Sequence, residues 1–265
     1  MERVVLVTGT STGIGRACAE RLRSRGWRVL AGVRSAGEAP AGCEEVLLDV
    51  TDAPQVAAAA GRVGGRLDGL VANAGVALSG PLEFVALEDL RQQLDVNVVG
   101  QVALLQALLP ALREARGRIV LMGSVSGRLA LPFLGPYAAS KFALEALADS
   151  LRGEVAPFGI SVSLVQPGSI ATPMWRKGAE RATRLSPGAL ELYGARIAAL
   201  RAWAERNGAV TPPEDVARVV EHALTADSPK TRYVVGRGAR TRTLIGRAPD
   251  ALRDRLVGRV LLKSK

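Results

Sequence analysis

Histidine occurs once and cysteine twice in this 265-residue chain. His222, Cys18 and Cys43 lie too far apart in sequence for a zinc site of ordinary spacing. Two thiols at such separation fit a reducing compartment. Aromatic residues make up only 4% against 48% hydrophobic overall, so a core must be built from Ala, Val, Leu and Ile. No uninterrupted apolar run approaches about 18 residues, and no membrane-spanning helix is expected. Met1 leads directly into the apolar run Val4–Val7, without the basic, apolar and small-residue regions of a signal peptide, and a cytoplasmic protein is expected. Lysine is also scarce, five residues against thirty arginines.

The net charge of +10 is unevenly placed. From Ser228 onward there are eleven Lys or Arg and two Asp, while the preceding residues are nearly balanced. The basicity therefore belongs to the tail. An arginine-rich codon usage with a solvated surface explains it as well as an anionic membrane surface or an acidic partner does. Nucleic acid is a poor third reading, because neither aromatic interleaving nor a recognition motif is present.

What is there is a regular alternation. Short apolar runs at Arg3–Thr8, Arg28–Val33, Glu45–Leu48, Gly69–Ala72, Arg118–Met122, Ser161–Val165 and Arg232–Val235 read as strands. Several are apolar throughout, as a parallel sheet covered on both faces requires. Segments of helical period lie between them at Ile14–Arg25, Ala53–Val63, Leu87–Arg113, Tyr137–Ala156 and Pro213–Ala226. Strand–helix alternation with right-handed crossovers gives an α/β fold, a doubly wound parallel sheet with helices on both faces. One such domain is expected to span residues 1–265. Residues 173–211 form an excursion above the ligand-binding edge of the sheet and are a candidate substrate lid. Residues 237–265 form a basic C-terminal extension.

The first strand ends in Thr8-Gly9-Thr10-Ser11-Thr12-Gly13-Ile14-Gly15 and a helix follows at once. Gly9 permits a tight turn, Gly13 lets the backbone approach a pyrophosphate, and Gly15 lets helix and strand pack closely. Free N–H groups and the dipole at the helix start then favour phosphate. A strand–turn–helix context at the head of the chain makes this a dinucleotide-binding turn of the Rossmann type.

The spacing Gly-x-x-x-Gly-x-Gly resembles the short-chain dehydrogenase/reductase family, whose fingerprint is Thr-Gly-x-x-x-Gly-x-Gly. Further matches follow in the family's order, from about residue 3 to residue 236. Asp49-Val50 matches the pair that contacts adenine, and Asn73-Ala74-Gly75 the family's Asn-Ala-Gly. Asn97 lies in an Asn-Val-x-Gly run, and Ser124 with Tyr137 and Lys141 matches the catalytic Ser and Tyr-x-x-x-Lys. Pro167-Gly168-Ser169-Ile170-Ala171-Thr172 matches the Pro-Gly-x-x-x-Thr that closes over nicotinamide. The resemblance implies an NAD(P)-dependent oxidoreductase in which Asn97 anchors a water linking Lys141 to solvent. It also implies a homodimer or homotetramer formed through the two long helices.

NAD-preferring enzymes carry an acid at the end of the second strand, where it accepts from the ribose 2′-hydroxyl. Val33 holds that place here, followed by Arg34 and Ser35. A guanidinium suits a 2′-phosphate, so NADP(H) is favoured over NAD(H), with Ser35 a further donor.

Tyr137 and Lys141 are four apart in a helical segment and share one face. A free phenol titrates near about 10, and a neighbouring ammonium lowers that value. Ser124, ending the fifth strand, is placed to hydrogen-bond a substrate oxygen as its charge changes. Ser126 ranks below Ser124, being one step into the loop and reading as a turn former. Gly123-Ser124-Val125-Ser126-Gly127 has Val at its centre, so it is no hydrolase nucleophile elbow. His222, in a late helix, reads as packing or surface. No metal site is expected.

The sequence around Tyr137, and Pro167 to Pro173, resembles the retinol and 17β-hydroxysteroid dehydrogenase branch of the family. That implies a bulky, lipophilic alcohol or ketone as substrate, with Leu131, Phe133, Leu134, Met174 and Trp175 as candidate apolar lining. The alternatives are a carrier- or coenzyme-linked 3-oxoacyl substrate, or a catalytically silent NADP-binding regulator. Asp250–Lys263 places Leu252, Leu256, Val257, Val260 and Leu261 on one helical face, with Arg253, Arg255, Arg259 and Lys263 elsewhere. Such a helix either lies on an anionic bilayer or caps the core or a subunit interface.

Overall fold

The structure, a computed structural model, describes residues 2–174, 186–207 and 210–262. Seven strands form one parallel sheet in the order β3-β2-β1-β4-β5-β6-β7. They are β1 (Arg3–Thr8), β2 (Trp27–Val33), β3 (Glu44–Leu47), β4 (Gly69–Ala72), β5 (Arg118–Met122), β6 (Ser161–Pro167) and β7 (Arg232–Val235). Strand side chains alternate between faces, and the sequence supplies apolar residues for both. Leu6, Leu70, Ile119, Leu121 and Leu164 face one helical layer, made by α2 (Ala53–Val63), α4 (Gly100–Ala115) and α5 (Gly135–Val155). Val5, Val7, Val71, Val120 and Val165 face the other, made by α1 (Gly13–Ser24) and α7 (Pro213–Thr225). Arg21 of α1 and Arg25 just after it both pair with Glu221 of α7, which joins the second layer at its surface.

The chain leaves β1 toward β2 on one side and returns to β4 on the other. That reversal opens a crevice at the C-terminal ends of β1 and β4, where open α/β sheets bind ligands. Strand and helix ends differ from the sequence reading by only one or two residues, except in one element. The helix expected over Leu87–Arg113 is α3 (Leu87–Leu94), a wider π-turn at Asp95–Val99, and then α4. Gly100 follows the π-turn, and a Cβ there would lie 2.7 Å from the Val50 carbonyl oxygen. By length and apolarity alone, Leu87–Ala115 would pass for a membrane span. In the fold its buried Leu104, Leu108 and Leu112 pack against the sheet.

The excursion at residues 173–211 holds helix α6 (Pro187–Asn207), while residues 175–185 and 208–209 of it, Trp175 among them, fall outside the described residues. The C-terminal extension folds back as α8 (Ala239–Ile245) and α9 (Asp250–Leu262). Helix α8 packs on β7 and on the turn after Ser124, and α9 packs on α6. Helix α9, read from the sequence as amphipathic, thus has another helix against it, with Leu252 left half exposed.

Candidate active site

The glycine turn is braced from β4. Thr8 Oγ1 accepts the backbone N–H groups of Asn73 (3.0 Å) and Ala74 (2.9 Å). Asn73 Nδ2 donates to the carbonyls of Thr8 (2.9 Å) and Gly9 (3.3 Å). Gly9 and Gly13 have φ of +69° and +60°, the left-handed region that side chains disfavour. Gly15 lies under the turn, where a Cβ would come 2.1 Å from the Gly9 carbonyl oxygen. Its glycine is therefore needed for helix–strand approach, while Ser11, Thr12, Gly13 and Ile14 line the open side. Helix α1 starts at Gly13 with no side-chain cap from Thr12 and no acid in its first turn. The first N–H groups of a helix have no intrahelical partner, so this end suits a phosphate. A Cβ on Gly13 would sit 3.0 Å from Thr172 Cγ2, so the turn and the Pro167–Thr172 loop close on each other at glycine distance. A dinucleotide fits this cradle.

Ser124 caps a single tight turn, Val125–Gly127, and its Oγ accepts the N–H of Ser126 at 3.1 Å. One lone pair of the hydroxyl is thereby occupied, which leaves its proton for a donor role. Tyr137, 6% exposed, is hydrogen-bonded with Ser124. Burial raises the phenol above its usual value, and the Ser124 bond acts against that rise. The lowering expected from Lys141 does not prevail in this arrangement. Lys141 is itself 4% exposed, and burial pushes its ammonium down to about 8. Its Nζ donates to the Met122 carbonyl at 2.8 Å and lies 5.7 Å from the Tyr137 ring centroid.

Asn97 is fully buried in the π-turn. Its Oδ1 accepts the N–H of Val76 (2.8 Å), and its Nδ2 donates to the Val76 carbonyl (2.9 Å) and to Ser140 Oγ (3.0 Å). Ser140 Oγ in turn donates to the Tyr137 carbonyl at 2.8 Å. The wide turn lets one amide clamp the loop segment following Asn73-Ala74-Gly75 to the helix carrying Tyr137; π-turns often occupy functional sites.

Four residues beyond Lys141, buried Glu145 pairs with Arg128 (2.7 Å) and Arg232 (2.9 Å) and accepts from Gln166. Arg128 directly follows the Ser124 turn, so this cluster ties that turn, β6 and β7 to α5. Nothing in the sequence singled out Glu145, since its partners are distant in the chain.

The glycine turn, Ser124, Tyr137 and Lys141 share one cleft of about 1440 Å³, while Asn97 and Glu145 lie behind its wall and not in its lining. Drug-sized ligands occupy roughly 300–1,000 Å³, so there is room for a dinucleotide and a second molecule. On the β2 flank it is walled by Val33, Arg34, Asp49 and Val50. Asp49 Oδ1 accepts from the N–H and hydroxyl of Thr51. Arg34 has no ion-pair partner among the described residues, and Ser35 is exposed outside the cleft wall. Asn73, Ala74 and Gly75 line the middle beside Ser124, Tyr137 and Lys141, and Pro167, Gly168, Ile170 and Thr172 face them.

The far flank is apolar, with Leu129, Leu131, Leu134, Met174, Ile197 and Leu200. Phe133 departs from the expected lining. It adopts φ +67° and stacks edge-on with Tyr193 of α6, ring centroids 6.0 Å apart. Leu129, Ile197 and Leu200 are additions to the expected lining, and two polar additions stand out. Ser126 lines the cleft as well as bonding Ser124, and Arg242 enters from α8. No local pattern signals Arg242, because its place depends on how the C-terminal extension docks.

Comparison with known proteins agrees with this geometry. The profile of the short chain dehydrogenase family matches residues 3–183. Retinol dehydrogenase 5 of Mus musculus is 39% identical over 259 residues, covering 88% of this chain and 80% of that protein. The 17-beta-hydroxysteroid dehydrogenase type 1 of Homo sapiens is 40% identical over 252 residues, covering 87% and 76%. Among solved structures, a short chain dehydrogenase from Burkholderia cenocepacia J2315 in complex with NADP superposes with a TM-score of 0.77 at 29% identity, over 98% of both chains. The chain therefore belongs to the short-chain dehydrogenase/reductase family, in its retinol and 17β-hydroxysteroid dehydrogenase-like branch, and is an oxidoreductase acting on CH–OH groups.

Proposed function

We propose that this protein uses NADP(H) to interconvert a ketone or aldehyde and an alcohol on a bulky, lipophilic substrate. The observation that carries the reading is the hydrogen-bonded Ser124–Tyr137 pair with Lys141 in one cleft with an uncapped phosphate turn. Arg34 lies on the cleft wall without an ion-pair partner among the described residues, directly after Val33, which stands where an acid would select NAD, and this supports NADP. So does the NADP found in a structural neighbour.

The glycine turn and the start of α1 would hold the pyrophosphate, Asp49 and Val50 the adenine, and Arg34 the 2′-phosphate. Lys141 would hold the nicotinamide ribose, and Pro167 to Thr172 the nicotinamide. Bound there, the nicotinamide supplies the hydride for reduction of the carbonyl carbon, or accepts it in the reverse direction. Tyr137 gives its phenolic proton to the substrate oxygen. A phenol raised by burial keeps its proton at neutral pH, so the site is set as an acid. Ser124, its lone pair engaged by the Ser126 amide, donates a hydrogen bond to the same oxygen and keeps its proton. Asn97 acts through Ser140, holding Tyr137 in register. The apolar flank from Leu129 to Leu200 would take the body of the substrate. Val99 of the π-turn and Phe142 of α5 are about half exposed and suit a subunit interface along these helices.

NADPH oxidation over a panel of aldehydes, ketones and 3-oxoacyl thioesters tests the reading. Loss of turnover with retained NADPH binding in Tyr137→Phe supports it. Absence of turnover with every compound would favour an NADP-binding regulator.

A further inference from the structure

Arg34 opens the loop that joins β2 to β3, residues 34–43. The start of this loop is tied to the sheet and to the glycine turn. Thr10 donates to the Gly32 carbonyl through its N–H (3.0 Å) and its hydroxyl (3.1 Å), and the Leu48 N–H donates to the Val33 carbonyl at 2.7 Å. From Arg34 to Glu38 the chain is exposed. An exposed loop containing Ala36 and Gly37 has much backbone freedom to lose. A guanidinium on a loose base has to be ordered by the ligand it binds, at a cost in affinity.

Glu45 of β3 removes part of that freedom. Its Oε2 accepts the backbone N–H groups of Gly37 (2.8 Å) and Ala39 (3.3 Å). Gly37 has φ of +81°, and a left-handed residue of this kind turns neighbouring N–H groups to one side, where they make a concavity for an oxyanion. Farther on, the Cys43 N–H donates to the Pro40 carbonyl at 3.1 Å, and a Cβ on Gly42 would fall on the Arg23 guanidinium of α1. The loop is thus held at both ends and in its middle, and the middle contact begins three residues after Arg34.

Glu44 and Glu45 are adjacent on β3, and successive side chains of a strand point to opposite sides. Glu44 pairs with Arg28 (2.6 Å) and Arg62 (3.7 Å). Glu45 has no ion-pair partner among the described residues and directs its carboxylate to amide donors instead. Hydrogen bonds to an ionised acceptor are stronger than neutral ones.

We propose that Glu45 is a positioning residue for nucleotide selection: by holding the Gly37 and Ala39 amides it fixes the loop from which Arg34 would reach the 2′-phosphate of NADP(H). This rests on the NADP(H) reading above and names the side chain that preorganises the loop for it. The loop is ordered on folding and not on binding, so the gain falls on the nucleotide that carries a 2′-phosphate and not on NADH.

The test is fluorescence titration of NADPH and NADH with wild type, Glu45→Ala, Glu45→Gln, Arg34→Ala and the double variant of Arg34→Ala with Glu45→Ala. Glu45→Ala should raise the NADPH dissociation constant about tenfold and leave that of NADH within about twofold. Glu45→Gln keeps an amide oxygen that accepts N–H groups and should stay within about threefold of wild type. The double variant should bind NADPH at most about twofold more weakly than Arg34→Ala alone, because residues that act through one contact are not additive. In the nucleotide-free protein, exchange of the Gly37 and Ala39 amides, followed by NMR, should speed up on the order of tenfold in Glu45→Ala and not in Glu45→Gln.

Equal weakening of NADPH and NADH in Glu45→Ala would overturn the proposal, because a merely structural role predicts it. NADPH binding that is unchanged or tighter, additive losses in the double variant, unaltered amide exchange, or Glu45→Gln behaving as Glu45→Ala would overturn it as well. Each of these results leaves the NADP(H) reading standing as long as Arg34→Ala separates the two nucleotides. Equal effects of Arg34→Ala on both would instead remove the NADP(H) reading, and the role of Glu45 with it.

Discussion

Lys141 Nζ donates a 2.8 Å hydrogen bond to the carbonyl of Met122, the last residue of β5. Helix α5 is thus fastened to the strand that leads into Ser124 by the same side chain proposed to hold the cofactor ribose. The bond partly compensates a buried ammonium whose pKa has fallen to about 8.

That fall has a stability consequence of definite sign. The folded value lies below the ordinary 10.5. The folded state therefore disfavours the proton, and the contribution of Lys141 to stability is full above pH 10.5 and lost as pH falls through about 8. Wild type should gain stability relative to Lys141→Met between those limits, by up to about 3 kcal/mol. Urea unfolding of both proteins across that range checks it, and a difference independent of pH would show that Lys141 titrates normally.

Ser124→Ala removes the one hydrogen bond that lowers the Tyr137 phenol. Turnover should drop roughly 10²–10⁴-fold, and the ionisation seen in the pH profile of alcohol oxidation should move to higher pH. An unshifted profile would mean that the observed group is not Tyr137.

Arg34→Ala should weaken NADPH binding about ten- to a hundredfold, as loss of charge-assisted hydrogen bonds predicts, and leave NADH binding within about threefold. Equal weakening of both nucleotides, measured by fluorescence titration, would remove Arg34 from 2′-phosphate recognition.

Glu145→Gln leaves Arg128 and Arg232 facing a neutral amide in a buried cluster. Breaking a buried ion pair from one side costs about 3–5 kcal/mol. Thermal melting should reveal a loss of that size, and turnover should fall with it, because Arg128 follows the Ser124 turn. A melting temperature unchanged from wild type would show that the cluster contributes nothing.

The parts legible in the sequence are those whose cause is local. Four- to seven-residue strands apolar on both faces admit few placements other than a covered parallel sheet. Gly9, Gly13 and Gly15 each answer a backbone requirement, and the four-residue spacing of Tyr137 and Lys141 follows from the helix itself. What escaped is what depends on distant partners. The π-turn at Asn97 is fixed by Val76, which lies outside the helix, so periodicity alone reads the segment as continuous. Phe133 looked like apolar lining, but its left-handed backbone and its contact with Tyr193 come from packing with α6. The basic tail reads as surface charge until Arg232 is found on Glu145 and Arg242 in the cleft.

The docking of α8 on the serine turn also sets an order of assembly during synthesis. The phosphate turn emerges from the ribosome first, and Ser124, Tyr137 and Lys141 follow while the chain is still growing. Gly246, whose backbone lies against Arg128, is translated long afterwards. Domains fold as their residues become available, the N-terminal part first. A nascent chain can therefore shape its glycine turn early, whereas the apolar flank beyond Tyr137 has to wait for helices α6 and α8.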